Sequence, residues 1–217
     1  MRRRWCAAPG PVGAYRQTKC PANREAVATD HVDRRPGATY LKPNMATVHP
    51  IITLPDPILR KVAAPIERVD ADLRRLMDDM FATMYDAPGV GLAAPQIGIS
   101  RRLIVMDPTK DEEEDQPLAM VNPQLLERSD DLRMHEEGCL SIPDFTAEIE
   151  RPARIRVSFI DREGKPQETE LEGIWATVVQ HEIDHLNGIL FIDYLSRLKR
   201  DMVVKKFAKA KRTEKAL

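Results

Sequence analysis

Between residues 71 and 86 the apolar positions Leu73, Leu76, Met77, Met80, Phe81 and Met84 recur at intervals of three and four, which lines one face of a helix. Asp70 stands where a cap belongs, APG at 87–89 ends the run, and a leucine and methionine stripe of this kind reads as core packing. Short β-like runs follow: RLIVMD at 102–107, AMVN at 119–122, and the alternating ARIRVSFID at 153–161, which REGK turns back. Alternation between turn signals predicts a largely antiparallel sheet. DEEED at 111–115 reads as a solvated loop. A second helix is predicted over 174–187, with Trp175, Val178, Val179, Ile183 and Leu186 apolar and Gly188 at the C′ position. From about Leu195 the helical period returns through Leu198, Met202, Val203 and Phe207, with lysines and arginines elsewhere. That predicts a terminal helix docked by its apolar side and wet on its basic side. Strands and helices without regular βαβ alternation give an α+β fold.

Composition adds organisation. A chain of 217 residues, 42% hydrophobic and without repeats, is read as one globular domain plus tails. The net charge of −1 hides an asymmetry, because residues 1–44 hold nine Lys/Arg and three Asp/Glu. The body therefore holds 33 − 9 = 24 basic against 34 − 3 = 31 acidic residues, about −7. The last stretch, 196–217, reverses sign with nine Lys/Arg against Asp201 and Glu214, and so invites a polyanionic partner. The expected organisation is a disordered basic leader at 1–44, a catalytic body at 45–196, and a basic terminal helix at 197–217 that belongs with the body. The leader is rich in arginine but has no serine and five prolines; it reads either as a transit or regulatory tail or as sequence upstream of a start at Met45.

Three cysteines, of which only Cys139 lies in the body, do not make a disulfide framework and fit a reducing compartment. No apolar run approaches the roughly 18 residues needed to cross a bilayer, so a soluble chain is expected.

The chemistry concentrates in QHEIDHLNG, 180–188. His181 and His185 are four apart on the second helix, so both rings project from one face and can reach one ion at about 2.0–2.1 Å. Glu182 lies about 100° around the helix from His181 and about 60° from His185. It stands beside such an ion without being a ligand, the HExxH arrangement in which the glutamate acts on water at the metal. HExxH also arises by chance in structural helices, so its company decides.

A catalytic site needs a third protein ligand and an open position. The downstream histidine of the metzincins is absent, since Phe191 stands where it would be. Upstream, EEGCLSIP at 136–143 offers Cys139, which could be presented from a strand edge or could be a small buried hydrophobe. GVGLAAPQ at 89–96 is too small in side chains for ordinary core, and Gly89 and Gly91 would let another backbone approach closely. It lacks the Lys and Ser/Thr of a phosphate loop.

Together GVGLAAPQ, EGCLS and QHEIDH, in that order, resemble the three motifs of the peptide deformylase family without a substitution. The resemblance spans the body from about residue 49 to the basic terminal helix and does not reach the leader. It implies antiparallel sheets packed around a central metal-binding helix, with a C-terminal helix. It further implies that Cys139, His181 and His185 bind one divalent metal, Fe2+ first, with Zn2+, Ni2+ or Co2+ able to replace it. Glu182 would be the general acid/base in hydrolysis of the formyl amide of an N-formylmethionyl peptide, releasing formate. The Gln96 side chain and the Leu140 backbone N–H would hold the oxyanion. Gly89, Val90, Gly91 and the EEGCLSIP strand would hold the nascent peptide as an added strand. An apolar pocket beside the helix would take the methionine side chain. Glu137 and Asp184 read either as residues that orient the ligands or as solvated charges.

The rivals are a zincin peptidase with another third ligand and a non-catalytic binder of formylated peptides. The resemblance also implies docking of the basic terminal helix on the ribosome, an acidic-bodied monomer without membrane contact or sequence-specific nucleic-acid binding, and a bacterial cytoplasmic site. Organelle import is the alternative that the leader keeps open.

Overall fold

A computed structural model describes residues 46–109 and 116–214. The expected leader at 1–44, the start at Met45, the 111–115 loop and the last residues of the terminal tail lie outside the described residues.

Asp70 accepts a hydrogen bond from the Leu73 N–H at 2.9 Å and opens α1 (Ala71–Asp86), whose predicted stripe, Leu76 apart, is fully buried. Next come β1 (Gly91–Ala93), β2 (Leu103–Met106) and β3 (Leu118–Arg128). A hairpin, β4 (Leu132–Cys139) and β5 (Ile142–Pro152), precedes β6 (Arg154–Ile160) and β7 (Pro166–Glu172). Two helices close the chain, α2 (Gly173–Leu186) and α3 (Arg197–Glu214). The sheet order is β1-β2-β3-β6-β7, antiparallel throughout, and β4-β5 forms a separate two-stranded sheet. The α+β class and the antiparallel sheets match the expectation.

Strand β2 is buried on both faces, which explains its unbroken apolar run. Leu103 and Val105 turn toward α1, while Ile104 and Met106 turn toward α2. The AMVN run continues past Pro123 into β3 because the ladder shifts register there, between Val121 and Gln124. Asn122, at φ 50°, uses its side chain to bond the Ile66 N–H at 2.9 Å and the Ile66 carbonyl at 2.7 Å.

Helix α2 is thus central, with Ala176, Val179, Ile183 and Leu186 in the core shared with β2, β3 and β6. Its C-terminus is fixed from three sides. The Leu186 carbonyl accepts from the Ala63 N–H at 2.8 Å, and Arg102 Nη1 donates to Asn187 Oδ1 at 2.9 Å. Gly188 has φ 72°, and a Cβ there would stand 2.5 Å from the Arg60 carbonyl oxygen, so only glycine fits.

One expectation about α3 needs correction. Val203 is buried and Phe207 partly so, but Leu198 and Met202 are 73% and 63% exposed. The run merges two strips: at 100° per residue, Val203 lies about 140° around the helix from Leu198, so both cannot face the same core.

Candidate active site and metal centre

The hairpin β4-β5 and helix α2 bring the three motifs together. Cys139 ends β4, where the register with β5 shifts, so its side chain is presented at the mouth of the hairpin. Its Sγ lies 3.2 Å from His185 Nε2, and the ligand atoms of Cys139, His181 and His185 all fall within 4.8 Å of one another. His181 Nδ1 is 2.8 Å from Glu137 Oε2. A histidine that donates from Nδ1 to a carboxylate keeps Nε2 as the coordinating atom.

The donor set fits a divalent metal on its own chemistry. Soft sulfur with two imidazoles suits zinc, iron, cobalt or nickel. Burial depresses the His185 pKa well below the usual imidazole range, and neighbouring His181 and Arg151 push the same way, so the ring is held neutral, the form that can coordinate a cation. At His181 burial also disfavours charge, but the Cys139 sulfur and the Glu137 carboxylate outweigh it and raise the pKa. The attraction for a proton at that point is also an attraction for a cation.

Glu137 is the hub behind the ligands. Arg151 binds it in a fork, Nε to Oε1 at 2.5 Å and Nη2 to Oε2 at 3.0 Å, and reaches Asp184 Oδ2 with Nη1 at 2.8 Å. Tyr194 donates to the same Asp184 oxygen at 2.9 Å and lies beneath the guanidinium. Asp184 thus braces the site through Arg151, and its charge also disfavours ionisation of Glu182. Burial alone would raise the Glu137 carboxyl, yet the His181 and Arg151 hydrogen bonds hold it down at about 2.

Glu182 is buried on the cleft side of α2, with Oε2 free of any protein partner among the described residues. Burial pushes its carboxyl up to about 7; the His181 ring opposes this and the Glu137 carboxylate adds to it. A carboxyl near neutrality can both take and return a proton.

Gln96 sits in a 3₁₀ turn, Ala94–Ile97. Its Oε1 accepts from the Ala93 N–H at 2.8 Å, which aims Nε2 at the site, 3.2 Å from Ser141 Oγ and 3.6 Å from Cys139 Sγ. The glycines have a reason the sequence did not show. A Cβ on Gly91 would overlap Glu182 Oε1 and stand 2.9 Å from Val178 Cγ1, and one on Gly89 would stand 2.8 Å from Leu140 Cδ1. They make room for the chain's own side chains, as well as for any incoming backbone.

These groups open into a cavity of about 460 Å³ lined on one side by Gly89, Val90 and Gly91 and on another by β4 from His135 to Cys139. Its third wall is the α2 face with Ile174, Thr177 and Val178. His135 and Thr177 stand among the residues that line this cavity beside the apolar Ile174 and Val178. Sequence reasoning missed both, along with Arg151. The signal for His135 was its period-two spacing from Glu137 and Cys139.

Residues 48–201 match the family model for polypeptide deformylase. The chain belongs to the peptide deformylase family. A Rhizobium meliloti peptide deformylase is 61% identical over 170 residues, covering 78% of this chain and 98% of that protein. The crystal structure of the Ehrlichia chaffeensis peptide deformylase in complex with actinonin superposes with a TM-score of 0.72 at 39% identity, covering 76% of this chain and 99% of the other. An Acinetobacter baumannii class I type b peptide deformylase with Met-Ala-Ser bound gives 0.65 at 40% identity, covering 70% of this chain and 100% of the other. Peptide deformylases are metal-dependent hydrolases that remove the N-terminal formyl group from nascent peptides, and this chain is such an enzyme.

Proposed function

We propose that Cys139, His181 and His185 hold one divalent metal, with Fe2+ the native ion and Zn2+, Ni2+ or Co2+ able to replace it, and that Glu182, Gln96 and Leu140 carry the hydrolysis of N-formylmethionyl peptides. The observation that carries this reading is the convergence of the Cys139 sulfur and both imidazoles within 4.8 Å, with the Glu182 carboxylate buried beside them.

A divalent cation at these ligands supplies Lewis acidity, lowering the pKa of water toward neutrality and polarising the formyl carbonyl. Glu182 takes a proton from the attacking water as oxygen adds to the formyl carbon. Gln96 Nε2 and the Leu140 backbone N–H donate to the developing oxyanion. Glu182 then returns the proton to the amine nitrogen as the C–N bond breaks, and formate and the free methionyl amine leave. Glu137, pinned by Arg151, keeps the His181 ring turned toward the ligand cluster.

The peptide enters as a strand. Both β1 and β4 are edge strands, and the cavity lies between Gly89, Val90 and Gly91 on one side and β4 on the other. An extended chain there satisfies the backbone groups that neither sheet pairs. The Met-Ala-Ser held by the Acinetobacter baumannii relative supports this reading. Replacing Cys139 with alanine should remove both bound metal and formate release; retention of both would favour a peptidase whose third ligand lies elsewhere.

The exposed face of α3 supports a second reading, docking at the ribosome. Leu198 and Met202 are uncovered there, with Arg197, Lys199, Lys205, Lys206 and Lys209 also exposed. Apolar anchors within a basic field suit a polyanionic surface that also offers protein. Cosedimentation with ribosomes should weaken steeply with salt and disappear when residues 197–217 are removed; unchanged cosedimentation would rule it out. We further propose that the enzyme works as a monomer in the bacterial cytoplasm, or in an organelle if the 1–44 leader is a transit peptide. No helix among the described residues is long and apolar enough to cross a membrane. On the same reading 1–44 is a tail and 45–217 one functional domain.

A further inference from the structure

We propose that Tyr194 is a positioning residue for the metal site, acting through Arg151 and Glu137 to hold the His181 imidazole in its coordinating orientation. The inference rests on the proposed metal binding by Cys139, His181 and His185.

A 3₁₀ turn, Phe191–Tyr194, follows α2. Residues three apart in such a turn eclipse one another, so the Phe191 and Tyr194 side chains leave the same side of it. The buried Phe191 ring stacks on the His181 ring, with centroids 5.9 Å apart and planes at 29°. Asp193 ties the turn down: its carboxylate accepts from the Leu190 N–H at 2.8 Å and pairs with Arg60. Tyr194 is therefore held at a fixed place relative to the imidazole.

From that place it closes the bracket behind the ring. Arg151 Cζ lies 4.9 Å from the centre of the Tyr194 ring. Tyr194 Oη donates to Asp184 Oδ2 at 2.9 Å, the same oxygen that Arg151 Nη1 reaches at 2.8 Å. One side chain thus fixes the guanidinium by its face and, through Asp184, by its edge. The other two nitrogens of Arg151 grip Glu137, whose Oε2 is bonded to His181 Nδ1. Tyr194 is 51% exposed, whereas the Arg151 side chain is only 5% exposed, so the phenol ring stands between the guanidinium and water. Removing the ring admits water to a buried ion pair and weakens its hold on Glu137, which frees the imidazole to turn. Removing the hydroxyl alone leaves Asp184 to Arg151 and loosens the bracket less.

The experiment reads metal retention: the cobalt-loaded chain is mixed with excess EDTA, and the decay of its visible absorption gives the rate of cobalt loss. Tyr194→Phe should lose cobalt about two- to fivefold faster than the wild type, and Tyr194→Leu about five- to thirtyfold faster, the span for substitutions that act through a network of contacts. The visible band of Tyr194→Leu should also shift before EDTA is added, because the ligand ring has turned. Glu137→Gln supplies the control, since whichever way its amide faces, a hydrogen bond to Arg151 or His181 is lost. In that background Tyr194→Leu should change the rate by at most about twofold, as two substitutions in one network do not add. A wild-type rate in both Tyr194 variants, or an undiminished effect of Tyr194→Leu in Glu137→Gln, would overturn the inference. No cobalt bound by the wild-type chain would overturn the proposed metal site itself, and this inference with it.

Discussion

The Glu137 carboxylate accepts from the His181 ring, Oε2 to Nδ1 at 2.8 Å, so one acidic side chain sets the direction of that imidazole. Arg151, itself buried, holds that carboxylate with two nitrogens, and the unit behaves as one rigid bracket. Glu137→Gln should lower metal affinity by about 10- to 100-fold, measured by competition with a chelator at neutral pH. Unchanged affinity would show that the ring is fixed by packing alone.

The same carboxylate links stability to pH in the metal-free protein. Its pKa is about 2 in the fold, below the ordinary value of 4.5. A depressed carboxyl contributes stability that is fully present above the unfolded pKa and is lost as pH falls through the folded one. The urea midpoint of the wild-type chain should exceed that of Glu137→Gln at pH 7, and the gap should narrow between about pH 4.5 and pH 2. A gap independent of pH would assign the difference to geometry.

Gly91 and Glu182 occupy adjoining space, because a Cβ on the glycine would overlap the Glu182 carboxylate oxygen. In Gly91→Ala the carboxylate must move, and displacement of a proton carrier by about an ångström is costly. We expect kcat to fall by at least roughly tenfold while metal content stays at the wild-type level. Loss of metal together with activity would show that the substitution damages the whole site.

Gln96 is held by the Ala93 N–H, so its Nε2 is aimed before any substrate arrives. Gln96→Ala should reduce kcat by about 10²- to 10³-fold with the metal retained, as for loss of one preorganised oxyanion donor. It also strands the buried Ala93 N–H, which should cost roughly 1–3 kcal/mol in a thermal or urea unfolding experiment. A variant with altered KM and unchanged kcat would mean that Gln96 only binds the peptide.

Much of this site was legible in the chain. The four-residue interval of His181 and His185 and the position of Glu182 follow from helical geometry, and the stripe in α1 fixed that helix to its cap. The hairpin β4-β5 was harder to see as a pair. Its outer face carries Leu132, Met134, Glu136 and Glu148, all exposed, so apolar and acidic residues share one wetted face and the alternation is blurred. Arg151 sits in ERPAR, which reads as surface, and it is buried only because Glu137 and Asp184 compensate its charge there. Leu198 and Met202 misled for the opposite reason: an apolar period predicts that a face will be covered, without saying by which molecule.

The most direct test measures formate release from formyl-Met-Ala by the anaerobically purified chain, with metal analysis on the same sample and Glu182→Gln as control. We predict about one divalent ion per chain in both proteins, formate from the wild type, and a rate in the variant lower by at least roughly 10²-fold, the lower end for loss of a general acid/base. Metal bound at the same stoichiometry with no formate released, or equal rates in the two proteins, would contradict the account.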